Sequence, residues 1–249
     1  MNYHRYLASH INAVMRTTTE HYLYMDTLQM DIAGGHMDIG GYFNGSDRNN
    51  IYFSPTIGMK NINLDKLMFK FENFGQDQLV SENLHGRISG KLWGKIHMHA
   101  DLVPIIDDSE IHMDVEVTGG SVEKYGPLEA LSGFFEDEKL HKVIFDTLQN
   151  HIDMTDGVMT IPNMVINTNL GFIEISGKQD MEYNMEYYLK VPMKMITSAG
   201  SNKLFGKKKE ETSNPEELFE YDPTKKYRYV NIKISGDAED YKITLGKGK

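Results

Sequence analysis

The sequence predicts a mainly β protein, built as an extended antiparallel, meandering sheet with about three short amphipathic helices. Three observations carry this. From Met181 to Met195 the residues alternate without a break, with Met181, Tyr183, Met185, Tyr187, Leu189, Val191, Met193 and Met195 on one side. That period of two is the mark of a strand with one apolar and one wet face. At about 3.3 Å per residue the run would reach on the order of 50 Å, against a usual strand of about five or six residues. Two further segments, Lys91–Leu102 and Ile111–Thr118, alternate as cleanly. Finally, no helix is regularly interposed between strand-like segments, which argues against parallel βαβ units.

Taken in order, Tyr3 to Arg16 carries Tyr3, Leu7, Ile11, Val14 and Met15 at helical spacing, so residues 1–20 are expected to hold an amphipathic helix. Strands follow at Tyr22–Ile32, His36–Asn44 and Ile51–Met59, punctuated by Gly34-Gly35, Gly40-Gly41 and Asn44-Gly45-Ser46-Asp47. Asn63 reads as the cap of a helix running to Phe71 with Leu64, Leu67, Met68 and Phe71 on one stripe. Between the two alternating strands, Val103–Glu110 carries Pro104 and three acidic residues and reads as a solvated turn. Pro127 opens a third helix, where its missing N–H costs nothing, and Leu128, Leu131, Phe134 and Phe135 mark its buried side. Strands return at Val143–Ile152, Val158–Thr168 and Phe172–Lys178, joined by turns at Asp156-Gly157 and Asn169-Leu170-Gly171. Residues 199–226 are rich in Gly, Lys, Glu, Ser, Asn and Pro and read as a mobile loop. Val230–Ile234 and Tyr241–Leu245 close the sheet.

Composition limits the function classes. The chain has 249 residues, a formal charge of −10 and no cysteine. Disulfides, thiolate catalysis and Cys-ligated zinc are excluded, and the acidic balance argues against nucleic acid as a partner. There is no apolar run long enough for a transmembrane helix, and Met1–Glu20 lacks the h-region and cleavage site of a signal peptide. The 16 methionines suit an irregular apolar surface and an ordinary core alike.

Catalytic motifs are lacking. There is no GxxxxGK[ST], GxGxxG, HExxH or GxSxG pattern, and no two carboxylates are placed across a cleft. One histidine-rich pattern stands out: His97, His99 and Asp101 share a strand face, and His112 and Asp114 share the polar face of another. Pairing of those strands would bring imidazoles and carboxylates toward one metal ion. Alternation alone, however, lines up the polar residues of any strand, so a solvated face is the ordinary reading. The Lys203–Lys209 stretch is largely cancelled as a membrane patch by Glu210 and Glu211.

Several motifs recur in a fixed order: LHGRISG at 84–90, GGSV at 119–122, YGPLEALS at 125–132 and KVIFDTL at 142–148. TIPNMVI at 160–166, IEISG at 173–177 and MEYYLKVP at 185–192 follow. Together they resemble the C-terminal region of AsmA-family proteins in the form found in the Bacteroidetes, over roughly residues 35–245. The resemblance implies a β-sheet half-pipe with an apolar inner groove, related to TamB and to bridge-like lipid transporters. It implies a periplasmic sheet held at the inner membrane by an N-terminal helix, expected in a segment upstream of Met1. The implied work is phospholipid transport to the outer membrane, or assembly of that membrane, with outer-membrane assembly proteins as partners. No catalytic residue or cofactor is implied. On this basis residues 21–249 are expected to form one AsmA-like C-terminal β domain.

The functional expectation is therefore a non-enzymatic lipid-handling module. Its groove would be lined by Ile111, Met113, Val115, Val117, Met185, Tyr187, Leu189 and Val191, each apolar surface gaining about 0.8 kcal/mol per buried acyl CH₂. The alternative is a structural or protein-interaction module that pairs with a partner through a sheet edge. A metal-dependent site survives only through the histidines, His97 and His99 first among them.

Overall fold

The computed structural model describes residues 2–3, 6–70, 81–135, 137–196, 220–237 and 240–246. The strands are β1 (Asn2–Tyr3), β2 (Tyr6–Thr17), β3 (Tyr22–Ile32), β4 (Gly35–Asn44), β5 (Ile51–Asn63), β6 (Leu84–Met98) and β7 (Pro104–Glu123). They continue with β8 (Lys142–Thr155), β9 (Val158–Thr168), β10 (Gly171–Asp180), β11 (Met185–Pro192), β12 (Tyr229–Gly236) and β13 (Tyr241–Gly246). Three short helices interrupt them: α1 (Leu64–Lys70), α2 (Gly126–Glu129) and α3 (Asp137–Leu140). All the strands join one sheet in sequence order, every neighbouring pair antiparallel, with β1 and β13 at opposite edges.

Register makes the sheet two-faced. Directly opposed residues share a face, and Leu28, Ile39, Ile57, Leu92, Met113 and Ile152 oppose one another in a continuous row from β3 to β8. A second row, Met164, Ile175, Leu189, Ile232 and Leu245, carries the same face to β13. One residue along the strands, Gln29, Asp38, Gly58, Lys91, Asp114 and His151 form the matching row of the polar face. Slipping any ladder by one residue would put apolar groups among charged ones, which is what fixes the register.

The helices cover the apolar face unevenly. Asn63 caps α1, its Oδ1 accepting the Lys66 N–H at 2.7 Å, with Asp65 in the first turn and Lys70 in the last, as the helix dipole favours. Leu67 packs on Ile32, Ala33, Met37 and Ile62, and Leu64 packs with Val117 and Phe145. The segment around α2 and α3 sends Leu131, Phe134, Phe135 and Leu140 onto Met185, Leu189, Val191, Val230, Ile232 and Ile234. Tyr241 fastens that segment by donating its hydroxyl to the Gly126 carbonyl at 3.0 Å. Because β5 and β7 run in the same direction, α1 and the α2–α3 segment leave the sheet at the same end.

Four expectations need correction. The N-terminal segment is an edge strand, not an amphipathic helix: β2 pairs with β3 through register shifts at Ser9/Asn12 and Val14/Met15. The first inserts an extra residue into β2 near His10, breaking its period of two and leaving a spacing that imitates a helix, whereas the second inserts Asp26 on the β3 side; Leu7, Ile11, Val14 and Met15 stay exposed. The Met181–Met195 run is strand only over Met185–Pro192. Asp180 closes a turn before it, accepting the backbone N–H groups of Glu182 and Asn184 at 3.0 and 2.9 Å, with Tyr183 at φ 64°. A 3₁₀ turn, Met193–Met195, follows it. The longest strand is instead β7, at 20 residues, which takes in the expected turn from Pro104 onward. Lastly, the sheet is open and uncurled, without the half-pipe curvature. Phe71 and residues 199–219 of the expected loop lie outside the described residues; Asp222–Lys225 forms a turn closed by Lys225 N–H to the Asp222 carbonyl at 3.0 Å.

Candidate functional site

The eight residues expected to line a groove divide into two sets. Met185, Leu189 and Val191 are 5%, 3% and 0% exposed, closed beneath the α2–α3 segment. Tyr187 packs against the same cluster, donates its hydroxyl to Gln179 Oε1 at 2.7 Å, and has its phenol pushed up by burial. This half is core and offers no groove. On β7, Val117 is buried beside Leu64 of α1 and Ile111 is buried near the strand's middle. Met113 and Val115 between them are only half-buried.

The half-burial of Met113 and Val115 extends across the sheet. Leu28, Ile39, Phe53, Ile57, Leu92 and Ile152 are all partly exposed, although each is flanked by apolar neighbours in the ladder. Neighbours within a sheet cover the flanks of a side chain, and only an overlying layer covers its tip. Among the described residues, α1 supplies that layer at one end of β3–β8, and the α2–α3 segment supplies it over β10–β13. The remainder is an apolar shelf from β3 to β9, about 29 Å across at the usual strand spacing of about 4.8 Å. Contiguous apolar surface of this breadth is larger than a folded monomer ordinarily leaves open. Gly90 and Asn150 flank Val115 in its ladders there.

The opposite face is aromatic and charged. Tyr22, Tyr24, Tyr42 and Tyr52 follow one another across β3, β4 and β5 with ring centroids 5.7–6.1 Å apart, and His97 of β6 stacks next at 5.9 Å from Tyr52. His97 is thus spent on a ring stack. His99 sits in the exposed turn after β6, its backbone N–H donating to the Val103 carbonyl at 2.9 Å. The two do not converge with His112, because β6 pairs with β7 so that His97 lies opposite Ile105 and Trp93 opposite His112.

His112 instead meets β8. Asp153 lies directly across the ladder from it, and His151 lies across from Asp114. His112 Nδ1 is 2.6 Å and His151 Nε2 3.1 Å from the same oxygen, Asp153 Oδ1. The outer nitrogens are held too: His112 Nε2 is 3.1 Å from Glu110 and His151 Nδ1 2.7 Å from Asp114. The Asp153 hydrogen bond raises the His112 pKa, the Asp114 bond raises that of His151, and His112 in turn lowers that of Asp153. The signal available in the sequence was the His-x-Asp at 151–153, which shares one strand face but needed the β7–β8 register to meet His112.

These features define a class: a single-layer antiparallel β meander, apolar on one face, with two short helical covers. Comparison with family models, with curated proteins and with solved structures finds no match to this chain. No helix among the described residues is long and apolar enough to cross a membrane.

Proposed function

We propose that this chain is a non-enzymatic lipid-handling module of AsmA type, acting in phospholipid transport to the outer membrane or in its assembly. The observation that carries the reading is the apolar shelf of β3–β9, over which the described residues place no overlying layer. A flat apolar shelf binds by area and not by directed polar contacts, so acyl chains are suitable guests at about 0.8 kcal/mol per CH₂ removed from water. The order of motifs from Leu84 to Pro192 supports the AsmA assignment, with a periplasmic location and inner-membrane association as its corollaries. The test is to purify the chain from cells and analyse extracts for phospholipid by mass spectrometry. Bound phospholipid that Val115→Asp abolishes, with the circular dichroism spectrum intact, is the expected result. A lipid-free chain that also takes up no fluorescent acyl probe would reject the proposal.

One observation favours a second reading, the sheet-edge module. β2 is a long edge strand, covered on its outer side among the described residues only where β1 pairs with Tyr6 and Leu7. Leu7 and Val14 on it are 60% and 53% exposed. Long, apolar, unpaired edges recruit strands from other chains. Proline substitutions at Asn12 and Val14 would abolish partner capture under this reading and leave lipid uptake unchanged.

A further inference from the structure

We propose that His112, His151 and Asp153 bind a divalent transition-metal ion of the zinc class, clipping β7 to β8 on the polar face. Among the described residues this is the group of histidine and carboxylate side chains whose ligand atoms converge, all three lying within 4.8 Å of one another. The convergence is set by the ladder: His112 and Asp153 are direct cross-strand partners, and His151 precedes Asp153 by two residues on the same strand face. Both imidazoles aim a nitrogen at Asp153 Oδ1, at 2.6 and 3.1 Å. Ligands bonded to tetrahedral zinc at about 2.0–2.1 Å stand about 3.3 Å apart. An ion entering in place of the two N–H protons therefore needs each nitrogen to part from Asp153 Oδ1 by less than about 1 Å, and the two nitrogens, which lie within 4.8 Å, to close toward about 3.3 Å.

A second observation separates this cluster from a plain ion-pair network. Each imidazole has its other nitrogen on a further carboxylate, His112 on Glu110 at 3.1 Å and His151 on Asp114 at 2.7 Å. Carboxylates behind metal-bound histidines fix the ring orientation and raise ligand basicity. The ring planes are fixed again by Trp93, stacked 5.6 Å from His112 and tilted 5.8 Å from His151, while the two imidazoles stack at 6.2 Å. Two nitrogens and one carboxylate select zinc, cobalt or nickel over magnesium or calcium, which want oxygen donors. His112 and His151 retain 27% and 44% of their side-chain exposure, so solvent supplies the fourth ligand.

Trp93 is the chain's single tryptophan, so its fluorescence reports this site alone. The chelator-stripped full chain is titrated with Zn²⁺ by calorimetry, and with Co²⁺ and Ni²⁺ by quenching of Trp93. The expected result is one equivalent bound and saturable quenching. His151→Gln and Asp153→Asn should each weaken binding by more than about 100-fold, and Glu110→Gln or Asp114→Asn by about 10–100-fold. His97→Gln and His99→Gln should leave it unchanged. Absence of saturable binding by the unaltered chain would overturn the proposal whatever the variants do. So would binding that survives His112→Gln combined with His151→Gln, or binding lost in His97→Gln or His99→Gln.

Discussion

Truncating Leu189 to Ala and, separately, Met113 to Ala removes apolar side chains of similar size from the same face of the sheet, one under the helical cover and one outside it. Leu189 is 3% exposed, clustered with Leu131, Phe134 and Ile232, and opposes Ile175 and Ile232 in its ladders. Leu189→Ala thus opens a cavity on both the sheet and helix sides and should cost about 2–5 kcal/mol. Met113 opposes Leu92 and Ile152 but remains half-buried, with no helix above it among the described residues. Its truncation should cost about 1 kcal/mol, since much of the lost contact is already with water. For a chain of this size 1 kcal/mol moves Tm by about 2–4 °C. Calorimetry should therefore show a fall of roughly 5–15 °C for Leu189→Ala and of about 2–4 °C for Met113→Ala. In acyl-probe uptake the order should invert, with Met113→Asp weakening uptake and Leu189→Ala sparing it. Equal falls in Tm would mean that β7 is covered as fully as β11, and the reasoning would fail.

Other consequences follow from individual contacts. Asn63→Ala deletes the cap on Lys66 and should cost about 1 kcal/mol in urea denaturation, with Asn63→Asp restoring most of it. Gly90→Ala should be severe, about 2–4 kcal/mol, because at φ 153° its Cβ would stand 2.1 Å from the Asp114 carbonyl oxygen and force β6 from β7; an unchanged denaturation midpoint would contradict that geometry. His36 stands 2.8 Å from Asp31 and 3.5 Å from Asp38, with His10 sharing Asp31 and Lys60 across the ladder. Its bond to Asp31 holds the imidazole above 6.5, and the bonds from His36 and His10 hold Asp31 below 3.8. The His36 contribution is then complete below about pH 6.5 and lost as pH rises through the raised value. The Asp31 contribution is present above about pH 3.8 and lost as pH falls through the lowered one. Both act together between those limits. NMR titration should show the His36 midpoint falling toward 6.5 in Asp31→Asn, and a midpoint that stays put would refute the assignment.

Legibility in the sequence depended on whether period and register coincide. Tyr22–Ile32 and Val158–Thr168 were readable to the residue because turn signals bound each of them, although a bulge interrupts the alternation inside both. The cap at Asn63 was readable because capping is a local matter of one side chain and one N–H. β2 was misread where a bulge near His10 disturbs the alternation on a strand with no buried face to enforce it. Met181–Met195 misled in the opposite sense: alternation continued by chance through the turn that Asp180 closes. The sites depend on register, which no single strand carries. The β7–β8 register gives His112 its partners on β8 and not His97 and His99. Which of the expected groove residues the helices cover depends on where α1 and the α2–α3 segment leave the sheet.

The central claim is that acyl chains lie on the β3–β9 shelf, and alternation on β7 offers a direct measurement. The chain has no cysteine, so Val115→Cys and Glu116→Cys each place one fluorophore, on opposite faces of the same strand. Phospholipids brominated along the acyl chain quench only fluorophores they touch. The account predicts saturable quenching at position 115 and none at 116; equal quenching at both, or none at 115 while lipid is bound, would contradict it.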